Sequence, residues 1–301
     1  MEGAMFNRMV RTIALVLLVV LPFTGVAPAS AAAIPSQPMP LNVASAEERM
    51  VGFLVSQYDS AVGLLEESPV IGAGKYYLNN CNYLSPMVLA AHGEKQMADE
   101  IGAVKRKYGF TGNGFIEVVS GTIVTWPPNH HCDIEVDQVE GNVVLQEYHD
   151  RQLCQAHGFY GGYFADWEQY ANLTFMGVVN LANQGNKKAA RDLFNRHIAG
   201  FNGLGFKDLA YYNRAVPEYE VEGVYETLGV AWALYAGSLI DAFSSKSMRA
   251  TGDQLVKVLL GNQGSSGGVH THYVQRNDPR ADPNVETTSM TILALDAYYG
   301  R

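Results

Sequence analysis

Four acidic residues stand where helical patterns begin: Asp166 and Glu168 ahead of Tyr170, Glu226 ahead of Thr227, and Glu286 ahead of Thr287. Carboxyls from different segments, set across one cleft, are the equipment of glycoside hydrolysis. One protonates the leaving oxygen while another, ionised, acts as base or nucleophile. The same placement suits a plainer task, because an acid at a helix start also caps amides or complements the helix dipole. Near these starts lie Asn80, Asn82, Tyr83, Asp208, His270, His272 and Tyr273, candidates for substrate binding. Asn80, Asn82, His270 and Tyr273, with Arg276, would equally serve a polysaccharide lyase. Such an enzyme neutralises a uronate carboxylate and moves protons through His or Tyr. Trp167, Tyr163, Tyr211 and Tyr212 offer faces on which sugar rings stack.

A different chemistry is suggested by the sulfur atoms. The cysteines are Cys81, Cys132 and Cys154, and four of the eight histidines (His130, His131, His149 and His157) crowd around the last two. Thiolate and imidazole together suit zinc or copper. The spacing C-x16-H-x4-C-x2-H matches no standard zinc module. The simpler expectation is a Cys132–Cys154 disulfide stapling an irregular loop, with Cys81 outside the pair and no cofactor. Zinc or copper at His130, His131, His149 and His157 is the alternative.

The elements that must position these residues are mostly helical. Apolar residues at Val51, Leu54, Val55 and Tyr58 follow helical spacing within Ser45–Leu65. Helices are also expected over Leu84–Ala91, Asp99–Tyr108, Tyr170–Asn183, Lys187–Ile198, Val224–Ala242, Gln254–Leu260 and Glu286–Tyr299. Glycine-rich loops separate them at Gly161-Gly162, Gly200–Gly205 and Gly264–Gly268, the last leading to His270 and His272. One stretch departs from this pattern. Ile116–Val119, Thr122–Trp126, Asp133–Val139 and Val143–Gln146 read as strands, a small β-rich insertion spanning about residues 112–160.

The helix starts repeat. Tyr170–Met176, Tyr225–Ala231 and Val285–Thr291 each open on a polar or acidic pair and run into small and apolar residues, with Asn80–Pro86 a weaker copy. Successive starts lie 55 residues apart (170 to 225) and 60 apart (225 to 285), which fits two helices and their loops per unit. Helices this poor in charge must be buried on most sides. An inner ring of them wrapped by more polar partners is an α/α toroid of helical hairpins. In a closed ring, the polar pairs would line one mouth.

Composition limits the partners. The 301 residues are 48% hydrophobic and 17% charged, which excludes wholesale disorder. Lys and Arg number 21 against 30 Asp and Glu, a net charge of −9, and no basic block gives the footprint of a nucleic-acid binder. Arg8 and Arg11, the apolar run Ile13–Leu21 and the small residues Ala29–Ala33 read as a cleavable secretory signal over residues 1–33. The run is shorter than the ~20 apolar residues of a membrane span. Residues 34–43, with Pro35, Pro38 and Pro40, read as a linker, and 44–301 as the toroid domain. The expected product is a secreted protein, off the membrane after cleavage, with a charge of about −10. That charge disfavours a polyanionic substrate.

The segment Gln263–Tyr273, followed by Asn284-Val285-Glu286-Thr287-Thr288-Ser289, resembles the closing repeat of α/α-toroid proteins. With Asp166–Leu173, Gly203–Asp208 and Tyr225-Glu226-Thr227, it looks like a group of secreted prokaryotic proteins, mostly archaeal, of unassigned activity. The likeness covers roughly residues 47–300. More remotely it is similar to six-hairpin glycosidases, toroidal polysaccharide lyases and terpenoid cyclases, though D-x-D-D and D-D-x-x-D are both missing. The resemblance implies a toroid acting on a polysaccharide or oligosaccharide. A secreted binding protein with an inert cavity is the non-enzymatic rival.

Overall fold

The computed structural model describes residues 38–301 except 71–75, 79–80, 109–114, 120–121, 126–130, 135–142, 147–158, 161–162, 165–170, 184, 207–223 and 276–277. The expected signal peptide lies outside the described residues. The described part is mostly helical with small antiparallel sheets. Its helices are α1 (Leu41–Ser56), α2 (Cys81–Ala91), α3 (Lys95–Tyr108), α4 (Ala171–Asn183), α5 (Lys187–Ile198), α6 (Thr227–Leu239), α7 (Lys246–Gly261) and α8 (Val285–Tyr299). Among the described residues no helix is long and apolar enough to cross a membrane.

Two kinds of helix alternate, and sequence explains both. In α5 the buried residues are Ala190, Leu193, Phe194 and Ile198, one stripe at helical spacing, and Asn186 caps the first turn by accepting from Ala189 N. Helix α7 is built likewise, with Ser245 as cap and Leu255, Val256, Val258 and Leu259 buried. By contrast, α6 buries ten residues from Thr227 to Gly237, and α8 buries residues all round from Val285 to Tyr299. Such helices need neighbours on every side. They have them: α4 packs on α6, α6 on α8 and α8 on α2. The striped helices cover this inner row, α5 on α4, α7 on α6, and α3 on α2, while α1 lies on α8 and α2.

The strands form short antiparallel pairs. β1 (Tyr58–Asp59) pairs with β2 (Leu64–Leu65), and β3 (Tyr76–Leu78) with β4 (Phe115–Val119), which pairs with β5 (Thr122–Thr125). β6 (His131–Ile134) pairs with β7 (Val143–Gln146), and β8 (Phe159–Tyr160) with β9 (Tyr163–Phe164). These include the expected β-rich stretch. The last sheet has the order β10 (Tyr225–Glu226), β11 (Val269–Gln275), β12 (Asp278–Asn284).

Three expectations need correction. The first helix begins at Leu41, inside the expected linker, with Pro40 preceding it at φ −59°, an angle suited to a helix start. It ends at Ser56 rather than Leu65, because Gly63 at φ +78° turns the chain into the β1–β2 hairpin. Finally, His270 and His272 lie on strand β11, not in a glycine-rich loop.

That glycine-rich loop has a mechanical task. Gln263 Nε2 donates to Ala46 O at 2.7 Å and Gly267 O at 2.9 Å, and Oε1 accepts from Arg49 at 2.6 Å. The turn is thereby pinned to α1. Gly267 has φ +94°, and a Cβ there would meet Arg49 O at 2.2 Å. On the same helix, the Glu47 carboxylate pairs with Arg301, beyond the end of α8, and burial followed by the charge of Asp296 pushes its carboxyl up to about 7.

Gly267→Ala should destabilise the protein by more than about 2 kcal/mol, since it adds both backbone strain and a clash. Gly52→Ala, within α1 and with nothing near a new Cβ, should stabilise it by about 0.5–1 kcal/mol. Denaturant unfolding of the two variants measures both.

Candidate functional site

The inner helices begin at one end of the row, and Glu67 joins two of those beginnings. Its Oε2 accepts from the Cys81 thiol at 2.9 Å, at the first residue of α2. Its Oε1 accepts from Asn284 Nδ2 at 2.9 Å, and its backbone carbonyl from Val285 N at 2.9 Å. Asn284 in turn caps α8, its Oδ1 accepting from Thr287 N at 2.8 Å. Burial raises the Glu67 carboxyl above the usual range, and the bonds from Cys81 and Asn284 pull it partly back. Cys81 is fully buried, and burial, then the charges of Glu67 and Glu286, hold its thiol well above the ordinary value. A thiol held in this form is not a nucleophile.

The β10–β11–β12 sheet joins the other beginnings. β10 leads into α6 and β12 into α8, while β11 lies antiparallel between them. The two feeding strands therefore run in parallel, two strand spacings or about 10 Å apart. Glu226 stands opposite His272 in this register and occupies the N-cap position of α6 without a side-chain capping bond. Glu286 sits in the first turn of α8, where the amide ends favour an ionised carboxylate, and the cap itself is Asn284. So neither acid is the capping acceptor of its helix. Thr227 Oγ1 of α6 and Ser289 Oγ of α8 are buried with no hydrogen-bond partner among the described residues.

The sheet holds its aromatic and imidazole groups firmly. Tyr225 and Tyr273 stack at 5.5 Å, and the Tyr273 hydroxyl donates to Leu204 O at 2.8 Å. Gly205 permits this, because a Cβ would lie 2.5 Å from that hydroxyl. His270 Nδ1 lies 2.6 Å from Ala281 O, which fixes it as the donor, and Ala281 itself has φ +56°. A non-glycine residue in that region carries strain. His272 Nδ1 lies 2.7 Å from Thr271 Oγ1, and burial lowers its pKa to about 4, so the ring is neutral at physiological pH.

The structure distributes the residues expected from sequence unevenly. Glu226 and Glu286, with His270, His272 and Tyr273, gather about the sheet and the helix beginnings. Tyr273 is sealed inside, at 0% exposure. Asn82, also fully buried, holds Leu65 through both ends of its carboxamide, Oδ1 accepting from Leu65 N and Nδ2 donating to Leu65 O. Tyr83 lies beneath Lys105, whose ammonium is 5.0 Å from the ring centroid and is lowered to about 8 by burial. Asp166, Glu168, Asn80, Asp208, Arg276, His130, His149, Cys154 and His157 lie outside the described residues. For Cys132 and His131, on β6, only the backbone is described, so the expected disulfide and its metal-binding alternative lie outside as well. Glu67 was not anticipated. It sits in Glu66-Glu67-Ser68-Pro69, which has no helical period to mark it.

No family model, curated protein or solved structure matches this chain. The functional reading therefore rests on the residues themselves.

His272 makes stability depend on pH. The unfolded chain takes its proton near the ordinary 6.5 and the folded chain near 4, so stability is full above 6.5 and falls as the pH drops toward 4. The loss is up to about 3 kcal/mol, at about 1.4 kcal/mol per unit. Urea unfolding at a series of pH values should show this slope in the parent protein and a flatter one in His272→Gln.

Cys81 should react with an aromatic disulfide reagent at neutral pH no faster than the protein opens. Its rate should rise with added denaturant in step with unfolding, read by peptide mapping of labelled Cys81.

Proposed function

We propose that the protein is a carbohydrate-active hydrolase, an α/α toroid of helical hairpins with its site where the inner helices begin. One observation carries this reading. Glu67, Glu226 and Glu286 come from three separate segments attached to the beginnings of α2, α6 and α8, and burial tilts Glu67 toward its protonated form. A protonated carboxyl near ionised ones is the division of labour that glycoside hydrolysis requires.

In this reading Glu67 gives its proton to the glycosidic oxygen as the bond to the anomeric carbon breaks. Glu286 or Glu226, placed at a helix start, takes a proton from the water that adds to that carbon. Asp166 and Glu168, just ahead of α4 in sequence, would add carboxyls from a further hairpin. The chemistry calls on no cofactor. A lyase is less well served, because the uronate it would act on is itself an anion that the acidic net charge repels. The acidic net charge favours a neutral polysaccharide. The pattern from Arg8 to Ala33 sets the encounter outside the cell.

Reducing ends released from a panel of neutral polysaccharides test the proposal. Glu286→Gln should lower kcat by about 100-fold or more while leaving the melting temperature nearly unchanged. Should no glycan be cut, and should Glu286→Gln only lower the melting temperature, the acids are helix-end partners and the chain is a binding protein.

A further inference from the structure

Glu47, His92 and Asp296 meet at the other end of the inner row. His92 follows the last residue of α2, Asp296 lies in the last turns of α8, and Glu47 projects from α1. One potential ligand atom from each lies within 4.8 Å of the others. His92 Nε2 is 3.0 Å from Asp296 Oδ2. Arg301 binds Glu47 Oε2, and its Nε stands 3.9 Å from Asp296 Oδ1. Glu47 is only 2% exposed, yet its Oε1, like Asp296 Oδ1, has no hydrogen-bond partner among the described residues.

This is a poor place for two carboxylates. The closing carbonyls of α2 and α8 carry partial negative charge, which repels anions and attracts cations. A buried carboxylate oxygen with no donor is costly. Arg301 satisfies one oxygen, and without a further cation the Glu47 and Asp296 carboxyls meet each other only by sharing a proton, which a metal ion would displace. What the remaining oxygens and the imidazole nitrogen share is the ability to donate electron pairs to a single cation.

We propose that Glu47, His92 and Asp296 bind one divalent cation, and that the donor set selects Zn2+. An imidazole disfavours calcium and magnesium, which take oxygen ligands, whereas one nitrogen and two carboxylate oxygens suit zinc, with water in the fourth position. The ion ties α1 to the finishing ends of α2 and α8. It lies at the opposite end of the inner helices from Glu67 and Glu286, so it is independent of the hydrolase reading.

The full chain, stripped with a chelator and titrated with zinc chloride, should bind one equivalent at this site and melt at a higher temperature. His92→Ala and Glu47→Gln should each weaken binding at least tenfold, while His131→Ala should leave it intact. Cobalt substituted into the parent protein gives a readout that needs no variant to fold. A visible ligand-field band without a strong near-ultraviolet thiolate band supports the site. The proposal is overturned by any of three results: no bound zinc, a thiolate band, or binding that His131→Ala abolishes and His92→Ala does not. The cluster is then an ion-paired clasp around Arg301.

Discussion

The carboxylate of Glu67 ties the beginning of α2 to the beginning of α8. It receives the thiol of Cys81 and the amide of Asn284, and the same residue's carbonyl receives Val285 N. Each of these donors would otherwise face the interior, where an unmet polar group costs about 1–3 kcal/mol. The tie also positions the proposed site. By holding Asn284, Glu67 sets the cap of α8 and hence the position of Glu286, two residues on. By lying among buried groups, it is itself moved toward the protonated state.

The remaining architecture follows from helices that cannot face water. α6 and α8 are apolar all round, so they stack in a row with α4 and α2, and the amphipathic α3, α5 and α7 cover them. Connecting each inner helix to the next through an outer one keeps the inner helices pointing the same way. The partial charges of their ends then add rather than cancel. One end collects carboxyls beside amide groups, and the other has the Glu47, His92 and Asp296 group beside carbonyls. Chemistry differs at the two ends because the backbone does.

Much of this was legible in the sequence, and the exceptions have physical reasons. Lys187–Ile198 reads as a helix because its apolar stripe and its Asn186 cap agree, and the structure has the same bounds. The shared helix starts at Tyr225 and Val285 are visible as repeats because inner helices have similar packing duties. The β11–β12 hairpin was not visible. Its return strand contains Pro279 and Pro283, residues that usually argue against a strand, and it is tolerated because it pairs on one side as an edge. Glu67 and the Glu47, His92 and Asp296 group depend on contacts between residues 14 to 254 positions apart. No local pattern encodes such contacts.

The account depends on the Glu67 carboxyl being raised above the ordinary carboxylate range by its shared, desolvated position. Side-chain carboxyl carbon shifts of glutamate-labelled protein, followed across the acid and neutral range, measure this directly, with Glu67→Gln assigning the resonance. The account predicts one resonance, absent from the variant, whose midpoint lies above that of exposed glutamates. If the resonance lost in the variant titrates with the exposed glutamates, Glu67 is an ordinary carboxylate and cannot supply the proton.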